Sequence, residues 1–116
     1  MKKEKFLNVH PGEILIEEFL MPLEISAYRL AKETGIPESN VSEIINGKRS
    51  ITAAISIKLG KFFELNSMFW IGLQNDFDIR LESHKLKSKI KDIKSYKELK
   101  RKTDKTKKVK SVALSL

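Results

Sequence analysis

The sequence contains no cysteine, three prolines, five glycines, a single tryptophan and no apolar run longer than Met68 to Leu73. Without cysteine there is no disulfide framework and no thiolate metal site. The two histidines, His10 and His84, are too far apart in the chain to suggest a metal cluster, and no cofactor motif accompanies them. The apolar run falls far short of the roughly 20 residues that a helix needs to cross a bilayer, and the N-terminus leads into no signal-type apolar segment. A cytoplasmic protein with no membrane partner is therefore expected. With 116 residues, 41% hydrophobic and 33% charged, the chain has the size of one small domain with an extension.

The charge is unevenly placed. Residues 1–80 carry 10 Lys+Arg against 11 Asp+Glu, whereas residues 81–116 carry 13 against 4, so the whole basic excess of the +8 chain lies in the last third. Glycine, proline and tryptophan are also confined to the first 80 residues. These shifts predict a domain over 1–80 and a basic extension over 81–116, partly helical near its start and partly disordered after Arg101. The closing Val112-Ala113-Leu114 is apolar but too short to assign.

Apolar residues in the first part recur three and four apart, with turn residues every dozen positions, which predicts an all-α fold of five short helices. The first begins at Pro11, with Ile14, Leu15 and Phe19 on one face, and is expected to stop at Pro22. The second runs from an N-cap at Ser26 to Thr34 with Leu30 and Ala31 inward, and Gly35 supplies its left-handed end. The third spans Pro37 to Asn46 and buries Val41, Ile44 and Ile45. Thr52 caps the fourth, in which Gly60 should cost about 1 kcal/mol against alanine. Asn66 caps the fifth, which carries Phe69, Trp70, Leu73 and Phe77. Farther on, Leu86, Ile90, Ile93 and Tyr96 would make a narrow apolar stripe on a lysine-covered helix, either a continuation of the fifth or a sixth.

The most informative spacing is Ala31, Gly35, Val41 and Ile44 between Ser26 and Asn46. A small residue lets two helices approach, a glycine four positions on turns the chain, and branched residues bury the second helix against the first. That pattern is a helix-turn-helix, whose second helix presents its early side chains to a major groove. Glu38, Ser39, Asn40, Ser42 and Glu43 are then the candidate base readers. Among them Asn40 can pair two-fold with adenine and Ser39 can donate or accept. Asn46, Lys48, Arg49 and Ser50 follow as candidate phosphate contacts, two cations among small donors. The same spacing also occurs in helical folds that never touch DNA, and the net −1 of residues 1–80, with glutamates at 38 and 43, opposes phosphate binding.

A longer series of segments resembles a known family: His10 to Leu15, Glu17-Glu18-Phe19, Tyr28 to Ala31, Ser42 to Arg49, Ile51-Thr52-Ala53, Phe69-Trp70 and Leu73-Gln74. In this order they resemble the HigA (VapI-like) antitoxins, a branch of the Xre/lambda-repressor-like helix-turn-helix proteins, over roughly residues 8–80. The resemblance implies a compact five-helix, dimeric domain that binds double-stranded operator DNA, represses its own operon and neutralises a ribonuclease toxin encoded beside it. It places the reading helix on Pro37 to Asn46 and the phosphate segment on Asn46 to Ile51. The chain departs from the family pattern at Glu38, Ser67 and Met68, where a cation, a proline and an acidic residue are common. The operator sequence therefore does not transfer.

The remaining features have plainer readings. His10, before a helix-starting proline, is expected to cap or pack, and His84 to be a solvated side chain without a partner. Asp76 and Asp78 do not share a helix face, and no nucleophile elbow or phosphate loop is present, so no catalytic residues are assigned. Phe69, Trp70, Leu73 and Phe77 are core residues or, on the reading preferred for a two-fold protein, a dimer interface. For the basic extension the choices are a solvated end, an arm along the DNA backbone, or a toxin-binding helix. A basic toxin would repel it, which favours the DNA arm. Two rivals remain: a stand-alone regulator without a toxin, and a protein-interaction module that binds no DNA.

Overall fold

The computed structural model describes residues 6–102, so the expectations for the stretch beyond Lys102 lie outside the described residues. No strand occurs among them, and the described part is all-helical as expected. It divides into two compact units at His84/Lys85, four residues beyond the predicted boundary. The described helices are not long and apolar enough to cross a membrane.

The first unit opens with α1 (Pro11–Ile14), a π-helical segment (Leu15–Leu20) and α2 (Met21–Leu23), which follow one another without a break. Pro22 does not stop this stretch, contrary to expectation. The Met21 N–H reaches back five residues to the Ile16 carbonyl, and such a widened turn relieves the clash that a proline ring makes with the carbonyl four positions earlier. The stop comes at Glu24, which is left-handed (φ 57°), with the Ile25 N–H closing onto the Leu20 carbonyl at 2.9 Å.

Next come α3 (Ala27–Thr34), α4 (Glu38–Ile45), α5 (Ala53–Phe63) and α6 (Phe69–Lys85). The expected caps are present: the Ser26 and Thr52 hydroxyls accept from the Arg29 and Ile55 N–H groups, and the Asn66 side chain accepts from the Met68 N–H. Leu15, Leu20, Leu30, Ala31, Ile36, Val41, Ile44, Ile51, Ile55, Leu59 and Trp70 form one buried core.

Gly60 belongs to this packing. A Cβ there would lie 3.1 Å from the backbone of Leu65, Asn66 and Ser67. The residue that weakens α5 locally is thus what lets the α5–α6 loop fold back over it. Ser56, fully buried, ties the same junction: its hydroxyl donates to the Ser67 carbonyl at 2.6 Å and accepts from the Ile71 N–H at 2.8 Å.

Trp70 is 0% exposed, enclosed by the rings of Phe19, Phe63 and Phe69, and its indole N–H has no hydrogen-bond partner among the described residues. It is a core residue of the monomer. Its place in a dimer interface is therefore withdrawn, because a side chain with no accessible surface has none to give a second subunit.

The second unit holds α7 (Lys87–Ile90) and α8 (Tyr96–Lys102). The expected stripe is not carried by one helix: α6 ends at Lys85, and Ile93 lies between α7 and α8. Lys85, Lys87, Lys89 and Lys91 would stack like charges four residues apart in a continuous helix, which opposes its formation. Leu86, Ile90, Ile93, Tyr96 and Leu99 are all exposed.

Candidate nucleic-acid interface

The turn between α3 and α4 is set by sequence chemistry close at hand. Gly35 is left-handed (φ 79°), and a Cβ placed there would meet nothing within 4 Å, so its requirement is conformational rather than steric. Thr34 adds a bond on each side, donating to the Leu30 carbonyl at 2.7 Å and accepting from the Ile36 N–H at 3.3 Å. Leu30 and Ala31 then meet Val41 and Ile44 in the core, with Ile36 buried between them. These contacts leave one face of α4 outward.

On that face Glu38, Ser39 and Ser42 are exposed, and Asn40 and Glu43 are half-buried. The Ser39 hydroxyl and the Asn40 amide make no hydrogen bond within the described residues, so both are available to a ligand. Pro37 caps α4 without a side-chain bond, which leaves the N–H groups of Glu38 and Ser39 pointing outward at the positive end of the helix. All five candidate readers thus share the outer side of one helix.

Beyond α4 the chain turns at Gly47 (φ 76°), where the Lys48 N–H bonds to the Glu43 carbonyl at 2.8 Å. The Asn46 amide is occupied, donating to the Ser42 carbonyl at 3.0 Å. Asn46, Lys48, Arg49 and Ser50 are exposed in succession next to α4. The Arg49 guanidinium is already paired: its Nε donates to Glu43 Oε1 at 2.7 Å. One candidate base reader and one candidate phosphate contact are therefore joined before any ligand arrives, which spacing alone did not show.

Beneath this surface the N-terminal part of the first unit forms a support. The His10 imidazole accepts from the Gly12 N–H through Nδ1 at 2.8 Å and meets the Phe77 ring edge-on at 4.9 Å, so it caps and packs as expected. Burial holds it below its ordinary value of 6.5, against the opposite pull of Asp78 and Glu13. The Asn8 amide donates to the Phe77 carbonyl at 2.9 Å. A Cβ on Gly12 would overlap the Ile44 carbonyl, so α1 passes against the end of α4 at backbone distance. Phe77 and Leu73 are half-buried in the monomer, and of the four aromatic-cluster residues Phe69 is the most exposed, at 37%. His84 does have a partner, contrary to expectation: it stacks on Phe6 with ring centres 4.0 Å apart.

Among the described residues no group of three His, Asp or Glu side chains is placed to hold a metal ion. The arrangement is a protruding helix with free amide and hydroxyl groups, flanked by a cationic turn. Such groups can donate and accept hydrogen bonds and can pair with anionic oxygens.

The comparisons with known proteins point the same way. The Helix-turn-helix family model matches residues 16–70. Virulence-associated protein I of Dichelobacter nodosus is 35% identical over 79 residues, which cover 68% of this chain and 73% of that protein. A HigA-family addiction module antidote protein from Coxiella burnetii has a similar structure, with a TM-score of 0.72 and 43% identity over 77% of this chain and 98% of that one. The Pseudomonas aeruginosa antitoxin HigA, solved with the higBA promoter, gives a TM-score of 0.73 and 31% identity over 78% and 98%.

Proposed function

The chain belongs to the Helix-turn-helix family, among relatives that include HigA antitoxins, and from that premise we propose that it is the antitoxin and autorepressor of a toxin–antitoxin operon. The observation that carries the DNA-binding half is α4 itself. Val41 and Ile44 hold it to the core, while the side chains of the exposed Ser39 and the half-buried Asn40 have no hydrogen-bond partner among the described residues, and the exposed Lys48, Arg49 and Ser50 follow in sequence. The solved relative bound to its promoter supports the same use of this fold.

In this mechanism α4 enters the major groove. Asn40 and Ser39 meet base edges, with Glu38, Ser42 and Glu43 beside them, and Lys48, Arg49, Ser50 and Asn46 lie along the phosphates. A dimer would place two such helices in successive major grooves about 34 Å apart and occupy a palindromic operator. Phe69 and the outer sides of Leu73 and Phe77 are the parts of that cluster left to such an interface. Repression is by occupancy of the promoter. Neutralisation of a ribonuclease toxin is assigned to another surface of the dimer. The lysines at 87, 89, 91 and 94 are proposed as a non-specific arm, each phosphate neutralised adding about 0.9 to the salt slope of binding.

The test is a gel-shift titration against the promoter upstream of the chain's own gene, together with co-expression with the adjacent open reading frame. Preference for the promoter over a scrambled duplex at physiological salt, with rescue of growth and co-purification, is the expected result. Promoter binding without rescue identifies a stand-alone regulator. Equal competition by the scrambled duplex removes the repressor reading and leaves a protein-interaction module.

A further inference from the structure

Gln74 is 2% exposed, one of two buried polar residues among the described residues, and it lies on α6. Its carboxamide bridges two groups: Oε1 accepts from the Ile51 N–H at 2.8 Å, and Nε2 donates to Asp78 Oδ1 at 3.0 Å. The carboxylate can only accept, so Asp78 settles which end of the amide faces Ile51. Ile51 is itself buried and directly follows Lys48, Arg49 and Ser50. The other end of that turn is held by backbone, the Gly47 and Lys48 N–H groups closing onto the Ile44 and Glu43 carbonyls. The three exposed residues are thus suspended between two anchors, one supplied by α4 and one by a side chain 23 positions farther along the chain.

We infer that Gln74 is a positioning residue for DNA binding, which acts by fixing the Ile51 amide and hence the cationic turn. This rests on the proposed DNA-binding function and deepens it. Without the Gln74 acceptor, the buried Ile51 N–H faces the protein interior unpaired and the turn must move to reach water. The order that Lys48, Arg49 and Ser50 need at the phosphates is then recovered only at the moment of binding, against the entropy of a loosened loop. Phosphate contacts carry no sequence information, so the loss falls on all duplexes alike.

The experiment compares wild type, Gln74→Leu and the double variant Gln74→Glu/Asp78→Asn. The first removes both hydrogen bonds at similar volume. The second keeps an acceptor for Ile51 and a donor at position 78, and both leave net charge unchanged. Binding to the promoter duplex and to a scrambled duplex of equal length is titrated across a salt series, and amide exchange at Ile51 is followed with that of α5 and α6. The inference expects Gln74→Leu to lose about tenfold on both duplexes with the salt slope unchanged, because the complex still neutralises the same phosphates, and to speed exchange at Ile51 while α5 and α6 stay protected. It expects the double variant to return to within about twofold of wild type. A folded Gln74→Leu protein that binds like wild type overturns the inference, as does one that loses only promoter preference. If Gln74→Leu does not fold, the double variant decides: wild-type binding supports the inference and lost binding overturns it. Failure of the wild type to prefer its promoter strikes the repressor function instead. The Ile51 exchange and random-duplex binding still report on Gln74 in that case.

Discussion

Arg49 donates through Nε to Glu43 Oε1 at 2.7 Å, which couples the cationic turn to the helix that precedes it. The side chains are 42% and 46% exposed, so solvent screens the pair and its worth to stability is about 0 to 1 kcal/mol. Its consequence lies in binding. The pair cancels a negative charge on the proposed reading face, and it occupies a cation that the proposed function places at a phosphate. Glu43→Gln should therefore lower the melting temperature by no more than about 5 °C and raise affinity for random duplexes about threefold at low salt, with a lower ratio of specific to non-specific binding. Fluorescence anisotropy on promoter and scrambled duplexes measures both. A fall in affinity would show that Glu43 serves to aim Arg49 rather than to restrain it.

Ser39 and Asn40 stand apart from the flanking cations in what they can sense. Ser39→Ala or Asn40→Ala should relax discrimination at one base pair per half-site by about 1–3 kcal/mol. Lys48→Ala should instead weaken every sequence alike and reduce the salt slope by about one unit. A panel of single-base operator variants titrated at two salt concentrations separates the two effects, and an identical loss pattern for both kinds of change contradicts the assignment.

Two glycines make opposite predictions. A Cβ at Gly12 overlaps the Ile44 carbonyl, whereas one at the exposed Gly72 meets nothing within 4 Å. Gly12→Ala must push α1 away from the end of α4, and should cost at least about 2 kcal/mol through the core and distort the α4 surface. Gly72→Ala, in the first turn of α6, should add up to about 0.5–1 kcal/mol. Urea denaturation of both variants checks the sign, and operator binding by Gly12→Ala checks the distortion.

Stability should depend on pH through His10. Burial depresses its proton affinity in the fold, and its Nδ1 must stay unprotonated to accept from the Gly12 N–H. In the unfolded chain the ring takes up a proton near 6.5. The contribution is therefore complete above that value and is lost as pH falls through the lower folded-state value. Melting curves from pH 8 to pH 5 should show a decline in wild type that is shallower in His10→Asn, where a non-titrating side chain keeps the cap. Parallel curves would assign the decline to carboxylates.

Local chemistry made much of this molecule readable. Ser26, Thr52 and Asn66 announce helix starts because their side-chain oxygens satisfy N–H groups two or three residues on, and Gly35 announces a turn because glycine takes a left-handed φ without the cost that a Cβ adds. The apolar spacing of Leu30, Ala31, Val41 and Ile44 determined which face of α4 is buried, and so that Ser39 and Asn40 face outward.

Other features depend on partners distant in sequence, and these only the tertiary structure decided. Pro22 was misread because the wider π-helical turn before it is invisible to pattern, and Trp70 because helical spacing does not tell an enclosed aromatic from a shared one. The Gln74 bond to Ile51, the Gly12 approach to Ile44 and the stacking of His84 on Phe6 join residues 23 or more positions apart. Such contacts depend on how whole helices pack, whereas caps, turns and buried faces depend on neighbours within one or two helical turns.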